Sequence, residues 1–377
     1  MAAPGNPNVT KLFERRLTPA DSPLAVAGTT ALAVCVAMGI AAIFFHHYGA
    51  SPVQAYFGLF HEPFGTLHGF GYALVRAAPL ALVALGTIVS WRSGFYYLGF
   101  EGCFVIGAAA VGWMSLATPR GPHLGPLFLP LAILLSLTVG GLWAGLVAFV
   151  RVRLGGNEVL ISLMSNYVAR FFLQYLVSGP LRAPGSLPET SVLPHDTWLP
   201  FLVPGTRGHA GILIAVAAAL LVWALLQKLP LGYELIVTGF NPAAARYAGI
   251  EVGRRMMLAG FFAGGLGALA GMVEVLGSQH RLMDGISGNM GFVGIIVALL
   301  SRLNPLATVP IALVYGGMSV GADAMQRRAA IPSSITFLLE SLAILLVLAS
   351  DIFRFYRLNF TFLTRFKWRV SPGEDSA

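Results

Sequence analysis

Charge is scarce in this chain. Only 11% of its 377 residues are Asp, Glu, Lys or Arg, against about 25% in a soluble domain. Lysine is rarer still: Lys11, Lys228 and Lys367 are the whole set. Each is followed by Leu or Trp, so none completes the G-x-x-x-x-G-K-[ST] loop that cradles nucleotide phosphates. The two cysteines, Cys35 and Cys103, lie in apolar segments with no metal spacing and no disulfide framework. H-E-x-x-H and C-x-x-C are absent. One G-x-S-x-G occurs, Gly317-Met318-Ser319-Val320-Gly321, at the end of an apolar segment. A nucleophile elbow needs a strand before it, so this match reads as helix packing. These absences exclude a P-loop ATPase and a zinc protease. They leave no catalytic residue, metal or cofactor to expect.

What is abundant is apolar surface. Hydrophobic residues make up 56% of the chain. Ten segments reach or approach the roughly 20 residues that span a 30 Å hydrocarbon core. They run over 23–45, 70–90, 98–117, 125–150, 158–178, 210–227, 256–277, 286–301, 305–322 and 334–352. The expected fold is an all-α polytopic membrane protein of about ten transmembrane helices. The first segment has no cleavage pattern and reads as a retained span. The eighth is short and opens among Gly285, Gly288, Gly291 and Gly294, as a broken helix lining a pathway would.

The net charge of +8 needs no nucleic acid, because cytoplasmic loops collect Arg and Lys. With the N-terminus inside, sixteen basic residues fall on the cytoplasmic side and six outside, while Arg76 and Arg170 lie within the membrane. Both termini are therefore expected in the cytoplasm. This divides the chain into a tail 1–22, a permease domain 23–352 and a tail 353–377. Loop 178–208 carries six prolines and no hydrophobic period, and reads as an extracytoplasmic cap. Loop 228–255 is cytoplasmic.

Within that loop lies Gly239-Phe240-Asn241-Pro242-Ala243-Ala244-Ala245-Arg246-Tyr247-Ala248-Gly249-Ile250. Asn241 stands where an N-cap belongs, Pro242 at the first helical position and Gly249 where a helix ends. The Ala-rich body buries little of its own. It reads as a knob offered to a soluble partner.

The fifth segment is the most polar. Glu158, Ser162, Asn166, Arg170 and Gln174 recur at spacing four, a slowly drifting stripe on one helix face. Lipid cannot solvate it, so it looks into the bundle or into a wet cavity. Inter-helix hydrogen bonding and a substrate path explain the stripe equally well. Arg76, Arg170, Glu274 and Glu340 sit at similar depth. They read as a mutually neutralising network or as the polar wall of a vestibule. In the seventh segment, Gly260-x-x-x-Gly264 and Gly267-x-x-x-Gly271 are packing contacts.

Three stretches in order carry a resemblance. They are Gly156-Asn157-Glu158-Val159 with Asn166-Tyr167, the knob with its Gly239, and Gly291-Phe292-x-Gly294-Ile295-x-Val297-Ala298-Leu299-Leu300 followed by Asn304-Pro305. From about residue 50 to 350 the chain resembles permease subunits of bacterial ABC importers of nucleosides and simple sugars. The resemblance implies a multi-pass plasma-membrane protein that is not itself an enzyme. It implies a cytoplasmic ATPase subunit docking at Asn241, Pro242, Ala244, Ala245, Arg246, Tyr247 and Gly249. A second permease subunit and an extracytoplasmic solute-binding protein are the other implied partners.

The expected solute path is Tyr97, Ser162, Asn166, Arg170, Gln174 and Glu340. Where the family carries Asn-Ile-Gly followed by Glu-Gly-Gln, this chain reads Tyr97-Leu98-Gly99-Phe100-Glu101-Gly102-Cys103, two amide side chains fewer. The long Pro-rich cap favours the nucleoside branch. The rivals are a branched-chain amino acid permease, in which Arg170 meets a solute carboxylate, and a secondary transporter working alone. A membrane-embedded lipid enzyme is a third, with no catalytic constellation behind it.

Overall fold

The structure is a computed structural model that describes residues 13–15, 35–36, 38–40, 42–43, 45, 51–117, 125–202, 205–329, 341 and 356–358. The chain divides into two compact units, one of residues 1–52 with 334–377 and one of residues 53–333. In the first unit, β1 (Phe13–Arg15) pairs antiparallel with β2 (Tyr356–Leu358). These three-residue strands are the exception to the expected all-α fold. Most of the segments 23–45 and 334–352 lies outside the described residues, as does Glu340.

The second unit is helical. In chain order it contains α1 (Pro52–Gly65), α2 (Leu67–Arg92), α3 (Phe100–Ala117), α4 (Phe128–Leu154), α5 (Glu158–Ser178) and α6 (Gly211–Lys228). Then come α7 (Pro230–Phe240), α8 (Pro242–Tyr247), α9 (Val252–Glu274), α10 (Met290–Leu300) and α11 (Pro305–Ala329). Among the described residues, seven helices are long and apolar enough to cross a membrane: α2, α3, α4 with its preceding turn, α5, α6, α9 with its following turn, and α11.

The eighth expected span is corrected in its bounds. Residues 286–289 form a turn, not helix, and α10 holds only 11 residues. Gly285, Gly288 and Asn289 adopt positive φ of 74°, 51° and 64°, a conformation that no helix contains. At 1.5 Å per residue α10 is about 16 Å long, half a membrane. Helices α1 and α7 were not expected. Both are short and carry no spanning-length apolar run.

Local sequence sets the ends. Thr66 caps α2 by accepting the Gly69 amide at 3.0 Å. Asn157 caps α5, its Oδ1 accepting from Val159 N at 3.0 Å and Leu160 N at 3.3 Å. Apolar surface gains nothing by leaving lipid, so these helices are held by close packing. Helix α2 is the hub, packing against α6, α9, α10 and α11, while α9 packs on α3 and α4. The α4–α9 contact shows the device: a Cβ on Gly264 would overlap the Gly140 carbonyl oxygen, and one on Gly140 would overlap that of Gly264. The expected small-residue packing of the seventh segment is what the structure contains. Gly317 and Gly321 likewise face Phe64 and Leu59 of α1, inside a helix and with no strand before them.

Candidate functional site: a polar cavity beside helix α5

A cavity of about 500 Å³ opens between α3, α5, the loop 280–289 and α10. Its lining includes Glu101 and Val105 of α3, Asn166, Tyr167, Arg170 and Leu173 of α5, Asp284, Ser287 and Asn289 of the loop, and Phe292 of α10. Glu101 joins the two sides. One carboxylate oxygen accepts the Ser287 hydroxyl, and the other accepts the Gly291 amide at 2.9 Å. A negative charge thus caps the N-terminal end of α10, where the helix dipole favours it. Across the opening, Arg170 Nε stands 3.7 Å from Asp284 Oδ1, with 62% and 33% of the two side chains exposed.

The α5 stripe divides between two jobs. Ser162 is fully buried. Its Oγ accepts the Leu98 amide at 3.2 Å and donates to the Val159 carbonyl at 3.0 Å. Asn166 donates to the Leu98 carbonyl at 3.1 Å and accepts from Gly102 N at 2.8 Å, with one edge on the cavity. Arg170 is the charge at the mouth, and Glu158 pairs with Arg151 at 2.8 Å. Gln174 is exposed and is not among the lining residues. Tyr97 is fully buried behind the wall. Its hydroxyl lies 3.0 Å from Cys103 Sγ and donates to the Gly99 carbonyl at 3.1 Å. The two residues that stand where the family has amides therefore contact each other, away from the cavity. Of the four charges at similar depth, Arg170 pairs with Asp284, and Glu274 is buried and accepts from Gln279 at 2.9 Å.

Glu101, Asp284, Ser287 and Asn289 were missed as site residues. The signal for the last three was present: polar residues punctuated by Gly285 and Gly288 in an otherwise apolar stretch. Merging residues 286–289 with the following helix concealed it.

Beyond Ser178, which ends α5, the described residues of the cap 178–208 are irregular apart from the turn His195–Thr197. It is stitched to the loop that supplies Asp284 and Ser287. Thr190 N donates to the Leu282 carbonyl and Thr190 Oγ1 accepts from Leu282 N, both at 3.0 Å. Arg281 pairs with Glu189 at 2.8 Å. Trp198 stacks on His280 with ring centroids 3.6 Å apart. Burial, and after it the His195 charge, lowers the pKa of His280.

At the opposite end of the helices stands the knob. Asn241 Oδ1 accepts from Ala243 N and Ala244 N, both at 3.1 Å, and α8 follows with Pro242 at its first position. Gly249 closes it at φ 81°, with Ile250 N donating to the Ala245 carbonyl at 2.9 Å, a Schellman-type end. Ala245 is the buried anchor, while Pro242, Ala244 and Arg246 are exposed. The flanking aromatics stand almost free, Phe240 at 87% and Tyr247 at 96% exposure.

Seven helices of spanning length among the described residues, and a polar cavity between α3, α5 and α10, fit a membrane transport protein. The chain belongs to the family described as branched-chain amino acid transport system / permease component, whose model matches residues 69–349. It is a permease subunit of the ABC class and a multi-pass protein of the plasma membrane. It is 30% identical to the glucose ABC transporter permease protein TsgB13 of Haloferax volcanii, over 89% of this chain and 90% of that one. It is 29% identical to the guanosine ABC transporter permease protein NupP of Bacillus subtilis, over 86% and 93%. The nucleoside ABC transporter permease protein NupB of Lactococcus lactis is 27% identical over 78% and 83%. No solved structure matches the chain.

Proposed function

We propose that this chain forms the solute pathway of an ATP-driven importer of nucleosides or simple sugars and couples it to a separate cytoplasmic ATPase. The observation that carries this reading is the knob. It is a fully capped six-residue helix with one buried side chain, Ala245, and two aromatics, Phe240 and Tyr247, offered outward. Such a helix gains little from its own packing. Its shape serves a partner's groove, with Asn241, Pro242, Ala244, Ala245, Arg246, Tyr247 and Gly249 forming the contact. The chain has no P-loop lysine, so the energy belongs to that partner.

The positive-charge bias supports a cytoplasmic position for the knob and for both termini. The pairing of β1 with β2 supports termini that leave on one side. On this reading the chain comprises tails 1–22 and 353–377 and a permease domain 23–352. The cap 178–208 then faces outward, where an extracytoplasmic binding protein delivers solute.

Arg170 lies about 18 Å along α5, and 62% of its side chain is exposed in the single chain. A charge at that depth cannot face hydrocarbon. A second permease subunit, identical or related, covers that face and completes the route. Along it, Asn166 and Arg170 act with Glu101, Asp284, Ser287 and Asn289, while Ser162 and Tyr97 support the wall. Hydroxyl-rich solutes suit these donors and acceptors, and Tyr167 and Phe292 offer apolar faces to a base or sugar ring. A branched-chain amino acid is less well served, because Asp284 already opposes the Arg170 charge that would take its carboxylate.

The test is deletion of residues 241–250 in cells that depend on this importer. Uptake of radiolabelled guanosine and glucose should stop while the chain still reaches the membrane. Normal uptake by the deletion variant would remove the coupling assignment. Leucine uptake in place of both would favour the amino acid reading.

A further inference from the structure

The linker 93–99 touches both the stem of the knob and the wall of the cavity. At one end, Gly94 (φ 76°) meets Gly239, two residues before the Asn241 cap. A Cβ on Gly94 would lie 3.1 Å from Gly239 Cα. A Cβ on Gly239 would lie 2.8 Å from Gly94 N and would overlap the Arg92 carbonyl oxygen. Two backbones cross here with no side chain between them.

At the other end, helix α5 grips the linker. Leu98 N donates to Ser162 Oγ at 3.2 Å and Leu98 O accepts from Asn166 Nδ2 at 3.1 Å. Gly102 N donates to Asn166 Oδ1 at 2.8 Å. Between these two grips stands Glu101, whose carboxylate holds Ser287 and Gly291 across the cavity.

Between its ends the linker is stiff. Phe95 and Tyr97 are fully buried and stack with centroids 5.6 Å apart. Trp91 Nε1 donates to the Tyr97 carbonyl at 3.3 Å, and the Tyr97 hydroxyl donates to the Gly99 carbonyl at 3.1 Å. A close-packed segment of this kind passes a displacement on rather than absorbing it.

We propose that the linker 93–99 is the strut that carries movement of the knob to Glu101, with Gly239 and Ser162 as positioning residues. This rests on the reading of the knob as the ATPase contact. Neither residue lines the cavity, so contact with solute cannot explain an effect at either position.

The experiment uses the full chain assembled with its ATPase, in a Cys35→Ser background with Tyr167→Cys at the cavity carrying an environment-sensitive fluorophore. Nucleotide state is set with ATP and vanadate, so no solute is required. The probe should report a fluorescence change on trapping in the parent protein. Ser162→Ala and Gly239→Ala should keep ATP hydrolysis near the parent rate. In Ser162→Ala, which loses one neutral hydrogen bond, the equilibrium that the cavity signal reads should shift about fivefold, and Gly239→Ala, whose Cβ would overlap the Arg92 carbonyl oxygen, should shift it in the same direction. Ser162→Thr, which keeps the hydroxyl, should restore it.

A full cavity signal in both alanine variants with hydrolysis intact would overturn the strut alone. Parallel loss of signal and hydrolysis would overturn it too, since that is failed assembly. An ATPase that does not co-purify with the parent chain would overturn the knob reading and the strut with it.

Discussion

Glu101 accepts the Gly291 amide at 2.9 Å, so a carboxylate from one helix caps the half-length helix α10 across a gap of 190 residues. Hydrogen bonds to charged groups contribute about 1.5–3 kcal/mol, roughly twice a neutral bond. Glu101→Gln keeps the size and one acceptor but loses the charge. It should destabilise the purified chain by roughly 1–2 kcal/mol and depress uptake further than that, because the same carboxylate holds Ser287 at the cavity. Thermal unfolding in detergent together with solute uptake at matched membrane levels measures both. An unchanged midpoint would mean that α10 does not depend on this cap.

The Arg170–Asp284 pair is expected to behave in the opposite way. It is long, at 3.7 Å, and more than half of the Arg170 side chain is exposed. Exposed pairs of this kind contribute only about 0.2–1 kcal/mol. Arg170→Gln should therefore leave the unfolding midpoint almost unmoved while reducing uptake. The double exchange Arg170→Asp with Asp284→Arg should recover part of it. Loss of stability without loss of uptake would make the pair a brace and not part of the route.

The knob was legible from sequence because its signals are local. Asn241, Pro242 and Gly249 each act through backbone geometry within one turn. Seven of the spanning helices were legible for the same reason, since length and apolarity suffice. The cavity was only half legible. Spacing of four placed Ser162, Asn166 and Arg170 on one face, but period alone cannot say which of them meets a neighbouring backbone. Ser162 turned out to hold Leu98, while Arg170 reached open space. Glu101 and Ser287 are 186 residues apart, and no local pattern announces such a meeting. The left-handed turns at Gly285, Gly288 and Asn289 hid the loop inside what reads as an apolar run.

Asn241→Ala isolates the knob from the rest of the chain. The Asn241 side chain satisfies two backbone amides, at Ala243 and Ala244, and losing such a cap costs about 1 kcal/mol. A six-residue helix cannot bear that loss on propensity alone. The variant should unfold at the parent midpoint, because α8 is exposed, yet retain markedly less ATPase on co-purification. Tyr247→Ala should do the same by removing contact area. If both variants hold the ATPase as firmly as the parent, the knob is not its docking site.

His209 sets an acid limit on the cap end of the fold. Its ring is 1% exposed, Nδ1 accepts the Gly211 amide at 3.1 Å, and the buried Nε2 has no hydrogen-bond partner among the described residues. Burial, with His280 nearby, lowers its pKa from 6.5 to about 4. Between those values the unfolded chain binds a proton that the folded chain refuses, so stability rises with pH across the window. It is complete above 6.5 and is lost as pH falls towards 4, by an amount on the order of 3 kcal/mol at most. His280, lowered mainly by burial, adds in the same direction. His209→Gln keeps an acceptor for Gly211 but cannot titrate. Unfolding midpoints measured from pH 7 to 4.5 should fall steeply for the parent and more gently for the variant. Identical slopes would show that His209 does not govern the acid sensitivity.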